Sequence, residues 1–372
     1  MNELIQQALV PIFDGIDQTG DVADFYRELT SDVIESAQNI RAAEPNLTKT
    51  EAVNRALEGM GDLRAVVLMI ADTEGVDVPP VVTDENTVDW SKKGQRQVFK
   101  AIPVDRVQNV TINTQDANVR FVASTTDDLE LDYYQRGING QTIQIEERDG
   151  NIKVVLPRPN FIDYIVPFRH PHQLLEVRLP SDLLGTIRLD ARAGNISLDN
   201  FATPDLDLAV ILTAGNLRIN RVQANRFDLG AKAGNIQASQ VKAEEWRIVA
   251  RAGNVRLSDV TGEFDVAVRS GNVVLDDAIG HGIFKATSGN VRTIWRQVDG
   301  DLNFAAESGT VKIRVPLSDQ FKFNLQSQSG IVRLKREATY EVQVQGYAKG
   351  TTSKDAQYNV VARVKSGVVK LD

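Results

Sequence analysis

The sequence predicts a mainly β protein, a parallel β-solenoid with repeats of about 18–21 residues, preceded by a small N-terminal α-helical bundle. The first observation is a recurring glycine, in most cases followed by Asn. The glycines are Gly194, Gly215, Gly234, Gly253, Gly271, Gly289, Gly309, Gly330 and Gly367. Their intervals are 21, 19, 19, 18, 18, 20, 21 and 37 residues, the last being close to two periods.

The second observation is an apolar alternation with a period of two on both sides of each glycine. Around Gly253 the apolar positions are Trp246, Ile248, Ala250, Val255 and Leu257. This period indicates a strand with one buried face. Because Gly and Asn enter left-handed backbone conformations at low cost, each repeat is predicted to be strand, tight corner, strand.

Gly-Asn pairs also suit two-residue hairpins, so a meandering sandwich is the competing topology. The third observation, a small residue (Ala or Ser) before every corner glycine, favours coils stacked in register. Asp149-Gly150-Asn151-Ile152 is interpreted as a first, degenerate corner. At the other end, a strand over 338–344, a polar loop over 345–357 and a last coil over 360–371 are predicted. That last strand is expected to have an open edge, which suggests an end-to-end homodimer.

Charge is divided unevenly between the two parts of the chain. The 372 residues have a net charge of −8 and no cysteine, so disulfides are excluded. Residues 1–90 contain 18 acidic and 5 basic side chains (−13), and the remainder contains 32 acidic and 37 basic (+5). The predicted domains are a helical domain (1–74), a linker (75–97) and the solenoid (98–372).

Spacings of three and four residues predict helices in the first domain. One apolar stripe consists of Val22, Phe25, Leu29, Val33, Ala37 and Ile40. Thr48-Lys49-Thr50-Glu51 then reads as a capping box that starts another helix. The acidic surface suits solubility, and the alternative is a docking face for a basic partner, including the solenoid itself.

An insertion at 157–173 interrupts the repeat and is rich in proline and apolar side chains. We interpret it as a flap packed over the solenoid, or alternatively as a loop that touches a membrane or a partner. Its apolar residues are Phe161, Ile162, Tyr164, Ile165 and Phe168.

Basic residues recur at two outward positions that flank the corners, two residues before the glycine and three after it. They are Arg192, Arg218, Lys232, Arg251, Arg256, Arg269, Arg292, Lys312, Arg333, Lys365 and Lys370. Stacking would align them into a basic strip along one edge. The strip either keeps sheet edges soluble or binds an anionic partner such as phospholipid headgroups, an anionic wall polymer or a protein. Nucleic acid is a poor fit, since the chain is acidic and aromatic interleaving is absent.

Signals for catalysis are poor. The chain has three histidines, and it has no Gly-rich phosphate loop of the dinucleotide- or nucleotide-binding kind. The sequence therefore predicts neither an enzyme nor a cofactor or metal, although solenoid polysaccharide lyases keep a carbohydrate-active enzyme open as a third hypothesis.

Two resemblances add to these predictions. The segment from Asp21 to Val67, with Glu51-Ala52 and Gly61-Asp62, resembles the helical HAAS-type domain of Gram-positive bacteria. The period, the corners and the entry segment LLEVRLPSDLLGTIRLDARAGNISL resemble the bacterial putative-adhesin β-strand-repeat family, with an architecture similar to LiaX-type proteins.

These resemblances imply a non-enzymatic regulatory scaffold in Gram-positive envelope-stress signalling. A surface adhesin or anionic-polymer-binding module is the alternative. The N-terminus has no basic region before a contiguous apolar run, so neither a Sec signal peptide nor a membrane span is expected. The expected location is the cytoplasm or the membrane periphery, and surface exposure by a non-Sec route is also compatible with the sequence.

Overall fold

The computed structural model describes residues 2–16, 20–44, 46–58, 63–64, 67, 94–136, 142–157 and 172–372. The chain divides into two compact units, Met1–Val88 and Asp89–Asp372. Buried apolar residues form one cluster within each unit, so each unit has a core of its own.

In the first unit the described helices are α1 (Asn2–Phe13), α2 (Gly20–Ala43) and α3 (Lys49–Glu58). The predicted stripe is buried at Val22, Leu29, Val33 and Ala37. The side chain of Phe25 lies outside the described part. The capping box is confirmed, because the Thr48 amide donates to Glu51 Oε2 (2.9 Å) and the Glu51 amide donates to Thr48 Oγ1 (3.2 Å).

The second unit consists of strands. They are β1 (Gln95–Pro103), β2 (Asn109–Asp116), β3 (Asn118–Ala123), β4 (Asp128–Arg136), β5 (Gln144–Arg148), β6 (Asn151–Val155), β7 (His172–Leu179), β8 (Gly185–Ala193), β9 (Ile196–Ala214), β10 (Leu217–Ala233), β11 (Ile236–Ala252), β12 (Val255–Ser270), β13 (Val273–Ser288), β14 (Val291–Arg314), β15 (Phe321–Leu334), β16 (Thr339–Val344), β17 (Tyr347–Thr351) and β18 (Tyr358–Leu371).

Strands β9 to β14 pair in parallel, each with the next. Leu217, for example, lies between Ile196 and Ile236, one repeat before it and one after it. The parallel solenoid is therefore confirmed, and the meander is rejected for this region. Each strand is one coil, because the chain returns to the same position on the neighbouring rung after about one repeat.

The corner glycines are required by close backbone contact as well as by backbone conformation. Gly253 has φ +140°, and a Cβ there would lie 2.0 Å from the carbonyl oxygen of Gly234. The Asn that follows has a separate role. The Asn254 amide and its Nδ2 donate to Asn235 Oδ1 at 3.1 and 3.2 Å. Equivalent bonds join Asn216 through to Asn290, so the Asn side chains form a ladder that links successive rungs.

A second corner lies six residues after each of the first five corner glycines and was not predicted. It has a left-handed, non-glycine residue in five successive coils; these residues are Asn200, Arg221, Gln240, Asp259 and Asp277. Arg296 links two of them, with its guanidinium bonded to Asp259 (2.7 Å) and to Asp277. Inside the coils, aromatic rings stack from rung to rung, with centroid distances of 4.7 Å for Phe227–Trp246 and 5.2 Å for Phe284–Phe304.

The beginning of the second unit departs from simple coils. Strand β4 pairs antiparallel with both β1 and β7. Asp149 and Gly150 have φ +49° and +76° and lie between the antiparallel strands β5 and β6. The interpretation of this segment as a degenerate solenoid corner was therefore wrong, since it is a hairpin turn.

The C-terminal strand is not an open edge, contrary to the prediction. Strand β18 pairs in parallel with β14 on one side and with β15 on the other. The outer side of β15 is covered in part by β17, which lies within the predicted polar loop and pairs antiparallel with Lys322–Gln326. The order of the last rungs is β14, β18, β15. Among the described helices, none combines the length and the apolar character needed to cross a bilayer.

Candidate functional site

The residues three positions after each corner glycine form what we call the post-corner row. Backbone register and the glycine stack give its order across the rungs. The order is Ser197, Arg218, Gln237, Arg256, Val274, Arg292, Lys312, Lys370 and Arg333. Uncharged residues separate the first cations, whereas the last four rungs are all basic.

We call Arg292, Lys312, Lys370 and Arg333 the cationic ladder. Lys312 is paired in register with Lys370, and Lys370 with Arg333. Arg292 lies one rung below Lys312, because Gly309 stacks on Gly289 and the Thr310 amide donates to Asn290 Oδ1 (3.0 Å). At a rung spacing of about 4.8 Å, the cationic ladder places four cations in a line.

The cationic ladder is electrostatically unfavourable when it has no ligand. The pKa of Lys312 lies below its usual value because the amine is partly buried and because Arg292, Arg314 and Lys370 are close. Neighbouring like charges at this spacing repel by about 1 kcal/mol in water, and by more where the site is partly buried. Asp372 offsets part of this repulsion. An anion laid on the row would lower this repulsion further.

Two further cations extend the cationic ladder sideways and were missed in the sequence. Arg314 and Lys335 are exposed and lie two residues after Lys312 and Arg333, so they face outward on the same rungs. Lys335 Nζ lies 3.9 Å from Asp372 Oδ1. The signal was present in the sequence, because the pattern Lys-x-Arg or Arg-x-Lys places both cations on one face of a strand.

The pre-corner row contains the positions two residues before each corner glycine. In rung order it consists of Arg192, Thr213, Lys232, Arg251, Arg269, Thr287, Glu307, Lys365 and Gln328. Three consecutive cations are found on β10 to β12. Lys365 instead forms an ion pair with Glu307 (2.7 Å). The predicted strip is therefore two rows, one on each side of the corner. The basic stretch of the pre-corner row lies on β10 to β12, and that of the post-corner row lies on β14, β18 and β15.

The predicted flap residues Phe161, Ile162, Tyr164, Ile165 and Phe168 lie outside the described residues. Their proposed contact with a membrane or a partner stays a prediction.

The part of the chain that contains both rows also matches a known family. Residues 107–372 match the model of the family described as Toastrack DUF4097. The chain belongs to the Toastrack family. All of the cationic ladder and both rows lie within the matched residues.

Three solved structures are similar to part of the chain at low identity. A "putative cell adhesion protein" from Clostridium sporogenes has 10% identity and a TM-score of 0.22, covering 74% of this chain and 99% of its own. A "putative adhesin" from Bacteroides fragilis has 12% identity and a TM-score of 0.38, covering 74% and 96%. A "putative adhesin" from Parabacteroides distasonis has 15% identity and a TM-score of 0.36, covering 59% and 97%. No curated protein matches the chain.

The Toastrack unit also contains an ion cluster that the sequence did not reveal. Arg178 bonds to Glu130 (3.0 Å), Asp132 (2.6 Å) and Glu176, and Arg96 also bonds to Asp132. Asp132 is fully buried. Because each of the three carboxylates is bonded to an arginine, we assign this cluster to the joining of β4 with β1 and β7 and not to ligand binding.

Proposed function

We propose that this Toastrack protein is a non-enzymatic binding scaffold whose cationic ladder holds a linear polyanion along the solenoid. The observation that carries the proposal is the unbroken run of four basic residues on the last four rungs. Strand β14 contributes two of these rungs, and β18 and β15 contribute one each. Protection of sheet edges needs charges on an edge strand, whereas Arg292, Lys312 and Lys370 lie on β14 and β18, which are paired on both sides. Guanidinium and ammonium groups at this spacing suit phosphate or carboxylate groups along a polymer.

A polymer fits better than a single small anion. The four cations span about 14 Å at the usual rung spacing, and the rigid parallel sheet fixes that distance. Since the side chains are half-buried or exposed, each contact is individually weak. Affinity would come from several simultaneous contacts and from release of counterions, so binding should fall steeply with salt.

The bacterial envelope offers two sources of such an anion, an anionic wall polymer and phospholipid headgroups. The proposed setting is envelope-stress signalling, with the helical unit as the part that passes on the signal. The support is the resemblance of residues 21–67 to the HAAS-type domain, together with the helical stripe and the capping box that the first unit contains.

We predict that the full chain binds long-chain inorganic polyphosphate and that K312Q/K370Q weakens this binding. Removal of two contacts should lower the slope of log K against log salt by about 1.4, at about 0.7 for each contact with a single-stranded polyanion. Fluorescence anisotropy with labelled polyphosphate between low and moderate salt measures both quantities. The matched control is K242Q/K322Q, which removes two exposed lysines outside the cationic ladder.

Equal binding by K312Q/K370Q and by the control would reject the proposal. Vesicles containing phosphatidylglycerol, compared with phosphatidylcholine, form the second arm. Ladder-dependent binding to vesicles in preference to polyphosphate would identify headgroups as the source of the anion.

A surface adhesin is the second candidate, because the same outward cationic ladder would bind a wall polymer equally well from outside the cell. Cleavage of the native protein by protease added to intact cells would favour this function. Protection from the protease until the cells are lysed would favour the intracellular scaffold.

A further inference from the structure

A groove of about 650 Å³ lies on the face before the corner, away from the cationic ladder. Two outward rows line it over six consecutive rungs. The row four residues before each corner glycine consists of Val249, Ala267, Lys285, Ala305, Arg363 and Gln326. Beside it lies the pre-corner row from Arg251 to Gln328.

The groove combines an apolar base with a basic rim. Val249 is 44% exposed, Ala267 lies beside it on the next rung, and Ala305 lies two rungs beyond Ala267. The aliphatic stem of Lys285 lies between the two alanines. Five basic residues and one acidic residue line the groove, and that acid, Glu307, pairs with Lys365. In the described part of the chain, Arg251, Arg269, Lys285 and Arg363 have no carboxylate partner.

We propose that this groove docks an acidic protein segment that has apolar side chains between its carboxylates. The apolar side chains would lie on Val249, Ala267 and Ala305, below the ends of the longer basic side chains. The carboxylates of the segment would reach the guanidinium groups of Arg251, Arg269 and Arg363, which accept paired oxygens well. Apolar contacts at the centre with charged groups at the rim are the usual anatomy of a protein interface.

The shape of the groove argues against a lipid. A bilayer is bound by apolar side chains that protrude into it, whereas these lie lower than the charged groups around them. A single acyl chain needs an enclosed apolar cavity, and this groove is open and shallow. The groove shares no residue with the cationic ladder, so failure of polyphosphate binding would leave this inference standing, and the reverse also holds.

The test uses the full chain and a fluorescein-labelled peptide with the sequence Glu-Glu-Leu repeated four times. The matched peptide replaces each Leu with Ser and keeps the charge. We expect the Leu peptide to bind at least about tenfold more tightly, and R251Q/R269Q to lose at least about tenfold in affinity, as paired charge-assisted bonds are removed.

A267W fills the base of the groove and should weaken the Leu peptide without changing polyphosphate binding. The variant K312Q/K370Q should bind the Leu peptide as the wild-type chain does. Equal affinity for the two peptides, or full affinity in both R251Q/R269Q and A267W, overturns the proposal. Displacement of the Leu peptide by phosphatidylglycerol vesicles through Arg251 and Arg269 would also overturn it, in favour of a lipid surface. Circular dichroism checks that each variant keeps its strands.

Discussion

Single residues decide the geometry of the corners, and two kinds of residue do so for different reasons. Glycine is needed because the backbone of the neighbouring rung occupies the place of a side chain. Asn is needed because its side-chain amide donates to the Asn one rung before it and accepts from the Asn one rung after it. Thr310 ends the Asn ladder, since it replaces Asn and offers only its backbone amide to Asn290.

Substitution of Gly253 tests the need for glycine at the corner. G253A should lower the free energy of unfolding by at least about 2 kcal/mol, because φ is +140° and the new Cβ would meet the Gly234 carbonyl at 2.0 Å. Chemical denaturation followed by circular dichroism measures the change.

Gly230 is the matched control for that substitution. A Cβ at Gly230 would meet the side chain of Ile211 at 3.7 Å, an ordinary contact. G230A should therefore be neutral or stabilise by up to about 1 kcal/mol, since Ala loses less backbone entropy in a strand. A similar change in the free energy of unfolding for both variants would show that the corner accommodates a Cβ more easily than its geometry indicates.

The two corners differ in how well the sequence predicts them. Gly and Asn announce the first corner, because few other residues accept its backbone or continue its ladder. The second corner was missed, because Arg221 and Gln240 adopt left-handed conformations that their residue types do not signal. At these two positions the stacked coil imposes a conformation that the residue types do not favour.

At the scale of elements, the sequence predicts each coil but not the order of the last ones. Every repeat carries its own period-two pattern, so strands β9 to β14 were predictable from local spacing. The insertion of β18 between β14 and β15 depends on which strand edges meet in space, and no local pattern reports that. The interval of 37 residues between Gly330 and Gly367 was a sign of irregularity, but it did not indicate the order of the strands.

This insertion also explains why the cationic ladder is continuous, although the sequence suggested a gap in it. In chain order the last basic residues are Lys312, Arg333 and Lys370. In the fold, Lys370 lies between the other two, which closes the gap in the row. The candidate site is therefore a product of tertiary strand order as much as of the repeat.

We predict that the amides of β18 exchange with solvent as slowly as those of β12, although β18 is close to the C-terminus. Both edges of β18 are paired in register, and Val360, Ala362 and Val369 are fully buried. Strand β16 is the internal reference, because its side chains are mostly exposed and it should exchange first. Hydrogen exchange read by mass spectrometry distinguishes the two. Fast exchange across Val360–Val369 would contradict the position of β18 between β14 and β15.

The molecule has two units, each with a core of its own, and the two units carry net charges of opposite sign. The buried residues of the first unit lie between Ile5 and Val67, and those of the second between Ile102 and Leu371. Separate cores support separate expression of residues 1–88 and 89–372. Residues 1–88 contain 17 acidic and 5 basic side chains, and this net charge of −12 makes the helical unit itself a candidate anion for the basic rows.

We therefore predict that the two separately expressed units associate at low salt, and that raising the ionic strength weakens this association. Screening shortens the reach of exposed charges to about 8 Å at physiological salt, so a contact between opposite charges must respond to it. Isothermal titration calorimetry at two salt concentrations measures the effect, and K312Q/K370Q tests whether the cationic ladder takes part. If polyphosphate displaces the helical unit from the wild-type solenoid, the helical unit acts as an internal competitor for the ligand. The absence of a salt-sensitive interaction would make this autoinhibitory hypothesis wrong and leave the cationic ladder open to external anions alone.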